Sequence, residues 1–266
     1  MSVINMNARI LNKPLLIGLL AVLSGCATYP VTTPIAADPW ESSNRAVFQF
    51  NDTLDRAVFK PVAQAYAYIT PQPVRSCINN IFSNIGDIWA GINSSLQGRH
   101  LDAINMYGRV MLNTTLGVGG CFDLASTTGA KRIPNDFGVT LGVWGISSGP
   151  YLVLPIIGAS TIRDGSGLFV DAYVNQFGYG QMVHDIAVRN SIYGLEVVQR
   201  REALLDVSDT IDRTALDRYS FIRDAYLKRR SVQVNGPLTE AENLPSYEDD
   251  EAAPADRKAL GIPPKN

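Results

Sequence analysis

The chain has 266 residues, a formal net charge of −2, 46% hydrophobic residues and only 18% charged ones. Ordinary soluble domains carry roughly 25% charged residues. That length can bury a sizeable core, and that apolar content excludes disorder along the whole chain. A balance near zero excludes a basic surface for nucleic acid. With two histidines and three cysteines, no multi-ligand metal site is expected. No cofactor is expected either.

The N-terminus reads as an address. Arg9 and Lys13 precede an apolar run at 15–23, nine residues long. A spanning helix needs about 20. A basic start and a short apolar centre make a secretory signal. It ends in Leu23-Ser24-Gly25-Cys26, which matches the bacterial lipoprotein signal. Residues 1–25 would be removed and Cys26 lipidated. An ordinary signal peptide with an incidental cysteine is the alternative. Several acyl chains on one cysteine anchor stably, each buried CH₂ contributing about 0.8 kcal/mol. Ala27 stands where an Asp would signal inner-membrane retention. The periplasmic face of an outer membrane follows, in an oxidising space. Residues 26–37, rich in Thr, Pro and Ala, read as a tether.

The body at 38–230 reads as all-α. Asp38-Pro39-Trp40-Glu41 has the form of a helix start, with Asp38 as cap and Pro39 at the first helical position. Val47, Phe50, Leu54 and Val58 follow at helical spacing, Phe48 and Phe59 widen the apolar face, and Pro61 ends or kinks the helix. Further helices are predicted at 88–96, 101–116 and 182–206. A late stripe combines Ile211, Ala215, Tyr219, Ile222 and Tyr226. Strands do not alternate with helices, so a parallel α/β sheet is not expected.

Between Asp136 and Arg163 lie 26 residues without a charge. Gly138, Gly142, Gly145, Gly149 and Gly158 interrupt them, and Pro150 and Pro155 break them. A regular spanning helix is therefore excluded. Irregular backbone survives at membrane depth only inside protein or beside a water-lined cavity. The segment is either a buried loop of a soluble core or a cavity wall.

Several motifs invite chemistry. Gly145-Ile146-Ser147-Ser148-Gly149 fits G-x-S-x-G, and Asp164 or Asp171 with His184 would complete a hydrolase order. That pattern needs a strand before Ser147 and a helix after it, whereas Pro150 and Pro155 follow. Catalysis is not the reading favoured here. His100 and His184 are isolated. Gly117-Val118-Gly119-Gly120 lacks the Lys-Ser/Thr of a phosphate loop. Arg163-Asp164 is expected to be a structural ion pair. Cys77 and Cys121 form an even pair once Cys26 is lipidated. In an oxidising compartment they predict a disulfide, with two buried free thiols as the alternative.

Residues 231–266 hold seven acids, three bases and five of the fifteen prolines, while residues 26–230 hold eighteen acids and eighteen bases. The body is neutral. The tail is expected to be disordered, or a flexible lure for a basic partner.

An ordered set of short stretches is similar to the MlaA/VacJ family of outer-membrane lipoproteins. The set comprises Asp38-Pro39-Trp40-Glu41 with Asn44-Arg45; Pro71-Gln72-Pro73-Val74-Arg75; Leu96-Gln97-Gly98; and Asn113-Thr114-Thr115-Leu116-Gly117 with Gly120 and Asp123. It continues through Asp136-Phe137-Gly138, Thr140-Leu141-Gly142, Gly149-Pro150-Tyr151, Leu154-Pro155, Gly158 and Arg163-Asp164. Ser42-Ser43 departs from the usual Gly-Phe, and Ala159 from a common Pro.

The resemblance implies a flat, ring-shaped helical bundle seated in the inner leaflet around an amphipathic channel, beside a trimeric outer-membrane porin. It implies removal of mislocalised phospholipid from the outer leaflet and delivery to a soluble periplasmic carrier of the MlaC type, without catalysis. Phe137, Gly138, Gly142, Trp144, Gly145, Gly149, Pro150, Tyr151, Leu152 and Leu154 are the expected channel wall or gate. Phe48 and Phe50 are expected to brace the ring. A lipid hydrolase using Ser147 and a purely structural outer-membrane lipoprotein are the alternatives.

Overall fold

The structure, a computed structural model, describes residues 37–236, with the backbone alone at 175–182. The signal segment, Cys26, the tether through residue 36 and the tail from residue 237 lie outside the described residues.

The described chain is helical with one small hairpin. Helix α1 (Glu41–Leu54) passes through a π-helical turn (Asp55–Phe59) into α2 (Lys60–Ile69). Pro61 neither ends nor breaks it. Proline lacks an N–H and crowds the carbonyl four residues back. The wider π turn just before it absorbs that misfit, as such bulges do. Pro61 then sits in the first turn of α2, where its missing donor is harmless.

Helix α3 (Gln72–Leu96) and α4 (His100–Thr115) form a helical hairpin closed at Gln97-Gly98-Arg99. The helix expected at 88–96 is the last third of α3. A short α5 (Leu124–Thr127) precedes α6 (Phe137–Val143), then β1 (Tyr151–Leu154), β2 (Gly158–Thr161) and α7 (Ile162–Met182). Helices α8 (Ile186–Glu202), α9 (Leu205–Thr214) and α10 (Arg218–Asn235) complete the chain. The helix expected at 182–206 is α8 with the first turn of α9. The late apolar stripe is divided. Ala215 is extended, and the Asp217 side chain caps α10 by accepting from the Tyr219 amide. The last helix runs to Asn235, past the boundary expected at 230, so the tail does not begin at Ser231.

The charge-free segment holds structure that its glycines and prolines concealed. Residues 137–143 are helical, capped by Asp136, whose side chain accepts from the Val139 amide. Residues 151–161 form an antiparallel hairpin pairing Tyr151 with Thr161 and Leu154 with Gly158. A two-stranded hairpin is marginal alone, and its outer edge needs partners. Helix α1 supplies them. Asn44 accepts from the Val153 amide at 2.9 Å and donates to the Tyr151 carbonyl at 3.0 Å. Seven residues on, two helical turns along the same face, Asn51 accepts from the Ile156 amide at 2.7 Å and donates to the Leu154 carbonyl at 2.9 Å. The Tyr151 amide donates to the Ala37 carbonyl. Most of the outer edge of β1 is thereby hydrogen-bonded.

Tyr151, Val153 and Tyr219 form the buried apolar cluster, with Val47, Phe48 and Tyr226 against it. The three rings of Tyr151, Tyr219 and Phe48 meet edge to face at 5.6 to 6.2 Å, the favoured aromatic geometry. Asp38 does not cap α1. It is buried, accepts from the Tyr219 hydroxyl at 2.5 Å and from Asn44 at 2.8 Å, and lies 3.3 Å from Arg223. The N-terminal motif is thus a long-range clasp to α10.

Candidate lipid-facing surface and polar interior

Helix α4 shows how polarity is arranged. Ala103, Met106, Arg109 and Asn113 are buried, whereas Leu101, Ile104, Met111 and Leu116 face outward. Leu101 is 83% exposed while Arg109 is 2% exposed. An ordinary surface helix does the reverse. The pattern extends over the molecule. Tyr68, Ile69, Val118, Phe122, Phe169, Ile186 and Leu216 are exposed. Asp87, Asn93, Ser94, Thr140, Thr161, Asp164 and Arg230 are buried. Exposed large apolar side chains in this number suit an interaction with lipid or protein. Among the described residues, no helix is long and apolar enough to cross a membrane.

Most of the buried charged groups have several partners. Between α3 and α4, Arg109 donates to Asp87 at 3.2 Å, to both oxygens of Asp123 at 3.1 Å and to the Ala130 carbonyl at 2.5 Å. Arg132 donates to the other Asp87 oxygen at 2.6 Å. Burial pushes the Asp123 carboxyl up, but donors from Ser126, Asn113 and Arg109 overcome it and hold the group at about 2.

A second cluster lies under α6. Arg230 donates to Asp164 at 2.9 Å and to both oxygens of Asp136, and Arg163 and Tyr226 also donate to Asp164. Burial raises the Asp164 carboxyl, yet the Arg230 guanidinium and the Tyr226 hydroxyl bring it down to about 2. Asp171 goes the other way. Burial raises it, although the Trp89 indole and the Phe137 amide donate to it.

This cluster explains two glycines of the expected channel wall. A Cβ on Gly138 would stand 2.6 Å from the Arg230 guanidinium, and one on Gly142 would stand 2.6 Å from Val234 and 2.7 Å from Arg163. Those glycines admit close approach to a buried ion cluster. Tyr151 is 1% exposed, inside the aromatic cluster. Phe137, Leu152 and Leu154 are half-buried, as is Pro150. The open part of the segment is the turn carrying Trp144, Gly145 and Gly149. Trp144 is 54% exposed, packs edge to face on Phe137 and donates its indole N–H to the Leu96 carbonyl at 3.0 Å. Phe48 packs on Tyr219 as a brace would, whereas Phe50 points outward.

Ser147 is exposed in that turn, and a strand follows it rather than the helix a nucleophile elbow needs. Asp164 and Asp171 are occupied by the donors above, and neither reaches His184, which is exposed. The Gly117–Gly120 amides close the C-terminus of α4. Gly119 donates to the Thr114 carbonyl and Gly120 to that of Asn113, so they are spent as a helix cap. Cys77 on α3 is bonded to Cys121 beyond that cap, the pairing expected from an oxidising compartment.

Two small polar cavities open along α3. One, about 150 Å³, lies against α8 between Arg75, Ser76, Gln199 and Glu202. The other, about 160 Å³, lies against α4 and its following loop between Asn80, Asn84, Asp87, Arg109 and Arg132. Asn79 lines both, so α3 carries a nearly continuous polar strip. Its signal was present in the spacing of Gln72, Ser76, Asn79, Asn80, Ser83 and Asp87. Sequence reasoning passed over it because those residues look like an ordinary solvated face.

Ion pairs and amides within, large aliphatic and aromatic side chains without, and no spanning helix among the described residues define a helical protein suited to contact with lipid. The chain belongs to the MlaA lipoprotein family, whose model matches residues 36–233. It is 34% identical over 219 residues to the intermembrane phospholipid transport system lipoprotein MlaA of Escherichia coli strain K12, covering 81% of this chain and 85% of that one. The protein of the same name from Haemophilus influenzae is 34% identical over 242 residues, covering 88% and 96%. A solved structure described as "Structural basis for maintenance of bacterial outer membrane lipid asymmetry" superposes with a TM-score of 0.63 at 35% identity, covering 74% of this chain and 99% of the other.

Proposed function

We propose that this chain removes mislocalised phospholipid from the outer leaflet of an outer membrane and delivers it to a soluble periplasmic carrier. The observation that carries this reading is the inverted polarity of α4, repeated across the molecule. Apolar residues outside suit a body held in the inner leaflet by its surface and by lipid on Cys26. Polar residues within suit a path for headgroups.

A phospholipid leaving a bilayer loses both headgroup solvation and acyl packing. A path with one polar and one apolar wall replaces both, and no bond need break. The strip along α3 is the proposed polar wall. The exposed turn with Trp144, Gly145 and Gly149 is the proposed gate, held by the Trp144 indole at the end of α3. Phe137, Gly138, Gly142, Pro150, Tyr151, Leu152 and Leu154 position that gate rather than face lipid. A trimeric porin is the proposed neighbour in the membrane plane, and a soluble MlaC-like protein the proposed acceptor.

The test is transfer of labelled phospholipid from proteoliposomes holding the mature lipidated protein and a trimeric porin. Intact diacyl lipid on the carrier, dependent on this protein, is the expected result. Lysophospholipid that disappears with Ser147→Ala would establish a hydrolase instead. Absence of transfer by folded, porin-bound protein would leave a structural lipoprotein. Replacing Trp144 by Asp should slow transfer, and an unchanged rate would remove the gate assignment.

A further inference from the structure

Two turns carry the same irregularity. Among the described residues, Val118 and Ile156 are the two other than glycine with a positive φ, at 53° and 68°. A branched Cβ crowds the backbone there, so glycine or asparagine is the usual occupant. Both side chains are also open, Val118 at 69% exposure and Ile156 at 66%. A single exposed aliphatic residue is ordinary. A strained and exposed one is not, because in water neither its backbone nor its side chain gains by the choice. Strain that a fold retains points to a use.

The neighbours repeat the pattern. Leu116 and Phe122 are exposed on either side of Val118, and Ile157 is exposed beside Ile156 at the tip of the β1–β2 hairpin. Both turns lie in stretches without a charged residue, 110–122 and 137–162. Much of their backbone is met within the chain. The Gly117 carbonyl accepts from the Phe122 amide and the Val118 carbonyl from the Cys121 amide, while Asn80 of α3 donates to the Cys121 carbonyl. The Cys77–Cys121 disulfide ties this turn to α3. At the hairpin, Asn51 of α1 holds the Leu154 carbonyl and the Ile156 amide. Pro155, between them, has no N–H to satisfy. Irregular backbone enters hydrocarbon only where protein supplies its partners. Protein interfaces, by contrast, are anchored by tryptophan, tyrosine and arginine. Residues 116–122 and 154–158 contain none of the three.

We propose that the Val118 and Ile156 turns are membrane wedges whose aliphatic side chains lie among the acyl chains of phospholipid. The inference deepens the reading that the chain is held in a bilayer by its surface, and rests on it. Acyl chains accept the side chains that water does not. That gain keeps valine and isoleucine where glycine or asparagine would relax the backbone.

The test uses the full mature lipidated protein in vesicles of phosphatidylethanolamine and phosphatidylglycerol. A small fraction of the lipid carries a diazirine midway along one acyl chain. Irradiation and peptide mass spectrometry then locate the adducts. Adducts are expected at Val118 and Phe122, at Ile156 and Ile157, and at Leu101 on the outer face of α4. They are not expected at the exposed pair Lys228 and Arg229. Val118→Asn and Ile156→Asn should each lose most of the adducts at their own turn and keep those at Leu101. Asparagine tolerates a positive φ, so neither variant should unfold at a lower midpoint. Unchanged adducts in either variant would overturn the wedge role of that side chain, as would a lower midpoint with adducts unchanged. Wild-type turns free of adducts while Leu101 is labelled would overturn the wedges and spare the bilayer reading. Folded protein free of adducts at Leu101 as well would overturn both.

Discussion

Around Tyr151 the interior is aromatic, and rings from α1, β1 and α10 meet edge to face over a few apolar neighbours. Between α3 and α4 the interior sets Asn84, Asp87, Asn93, Ser94, Arg109 and Asn113 beside the smaller apolar contribution of Ala90, Ala103 and Met106. The first region excludes water and gains from doing so. The second gains little from burial as such, because each polar group must recover in hydrogen bonds what it lost in hydration. Ala103 and Met106 of α4 join that interior, but Leu101, Ile104 and Met111 lie on its outer face. The difference teaches that the hairpin buries its ion pairs and amides while leaving large aliphatic side chains outside.

Breaking the polar side of this contrast should have the largest effect. Arg109→Leu leaves Asp87 and Asp123 without their shared cation. Removing one partner of a buried pair costs about 3–5 kcal/mol, measurable by denaturant unfolding of the protein in detergent micelles. On the aromatic side, Tyr219→Phe keeps the ring contacts and removes one donor from the buried Asp38 carboxylate. A hydrogen bond to a charged group contributes about 1.5–3 kcal/mol, so a loss near 2 kcal/mol is expected in the same assay. A loss below the error of the assay would mean that water replaces the hydroxyl.

The Asp164 cluster sharpens the comparison through pH. Its carboxyl is held at about 2, below the unfolded value of about 3.9. Its stabilisation is therefore complete above about pH 4 and lost as pH falls through about 2. The contribution is on the order of 2.6 kcal/mol, from about 1.36 kcal/mol per pKa unit. Unfolding midpoints should fall across that window, and Asp164→Asn should flatten the fall. The smallest effect on the fold is expected from the outer face of α4. Leu101→Gln with Met111→Gln should change stability by less than about 0.5 kcal/mol. Binding to phospholipid vesicles, read by flotation, should nevertheless weaken. Unchanged flotation would separate this face from the lipid-contacting surface.

Several elements were legible from residue order. The spacing of apolar residues marked α1 and α4, and cysteine arithmetic in an oxidising compartment marked Cys77 and Cys121. The ordered motifs marked the family. The roles of those motifs were less legible. Asp38 reads locally as a cap, and Asp136 does cap a helix. Only the first is pulled away, because Tyr219 and Arg223 arrive from α10 with stronger donors than an amide. Pro61 reads as a break, and a π turn beside it removed the clash. The glycines of the charge-free segment read as signs of an irregular wall. Gly138 and Gly142 instead admit arginines that come from β2–α7 and α10, far away in sequence.

The sequence by itself determined that the chain is helical and charge-poor, that its body is neutral, and that it resembles one family along most of that body. Composition and periodicity are local or additive properties, so one strand of letters carries them. The tertiary structure decided which face of each helix is inside. Periodicity divides a helix into two faces but is silent on which one meets water, lipid or protein. For α4 the answer came from Asp87 and Asp123, which draw Arg109 inward and thereby turn Leu101 and Met111 out.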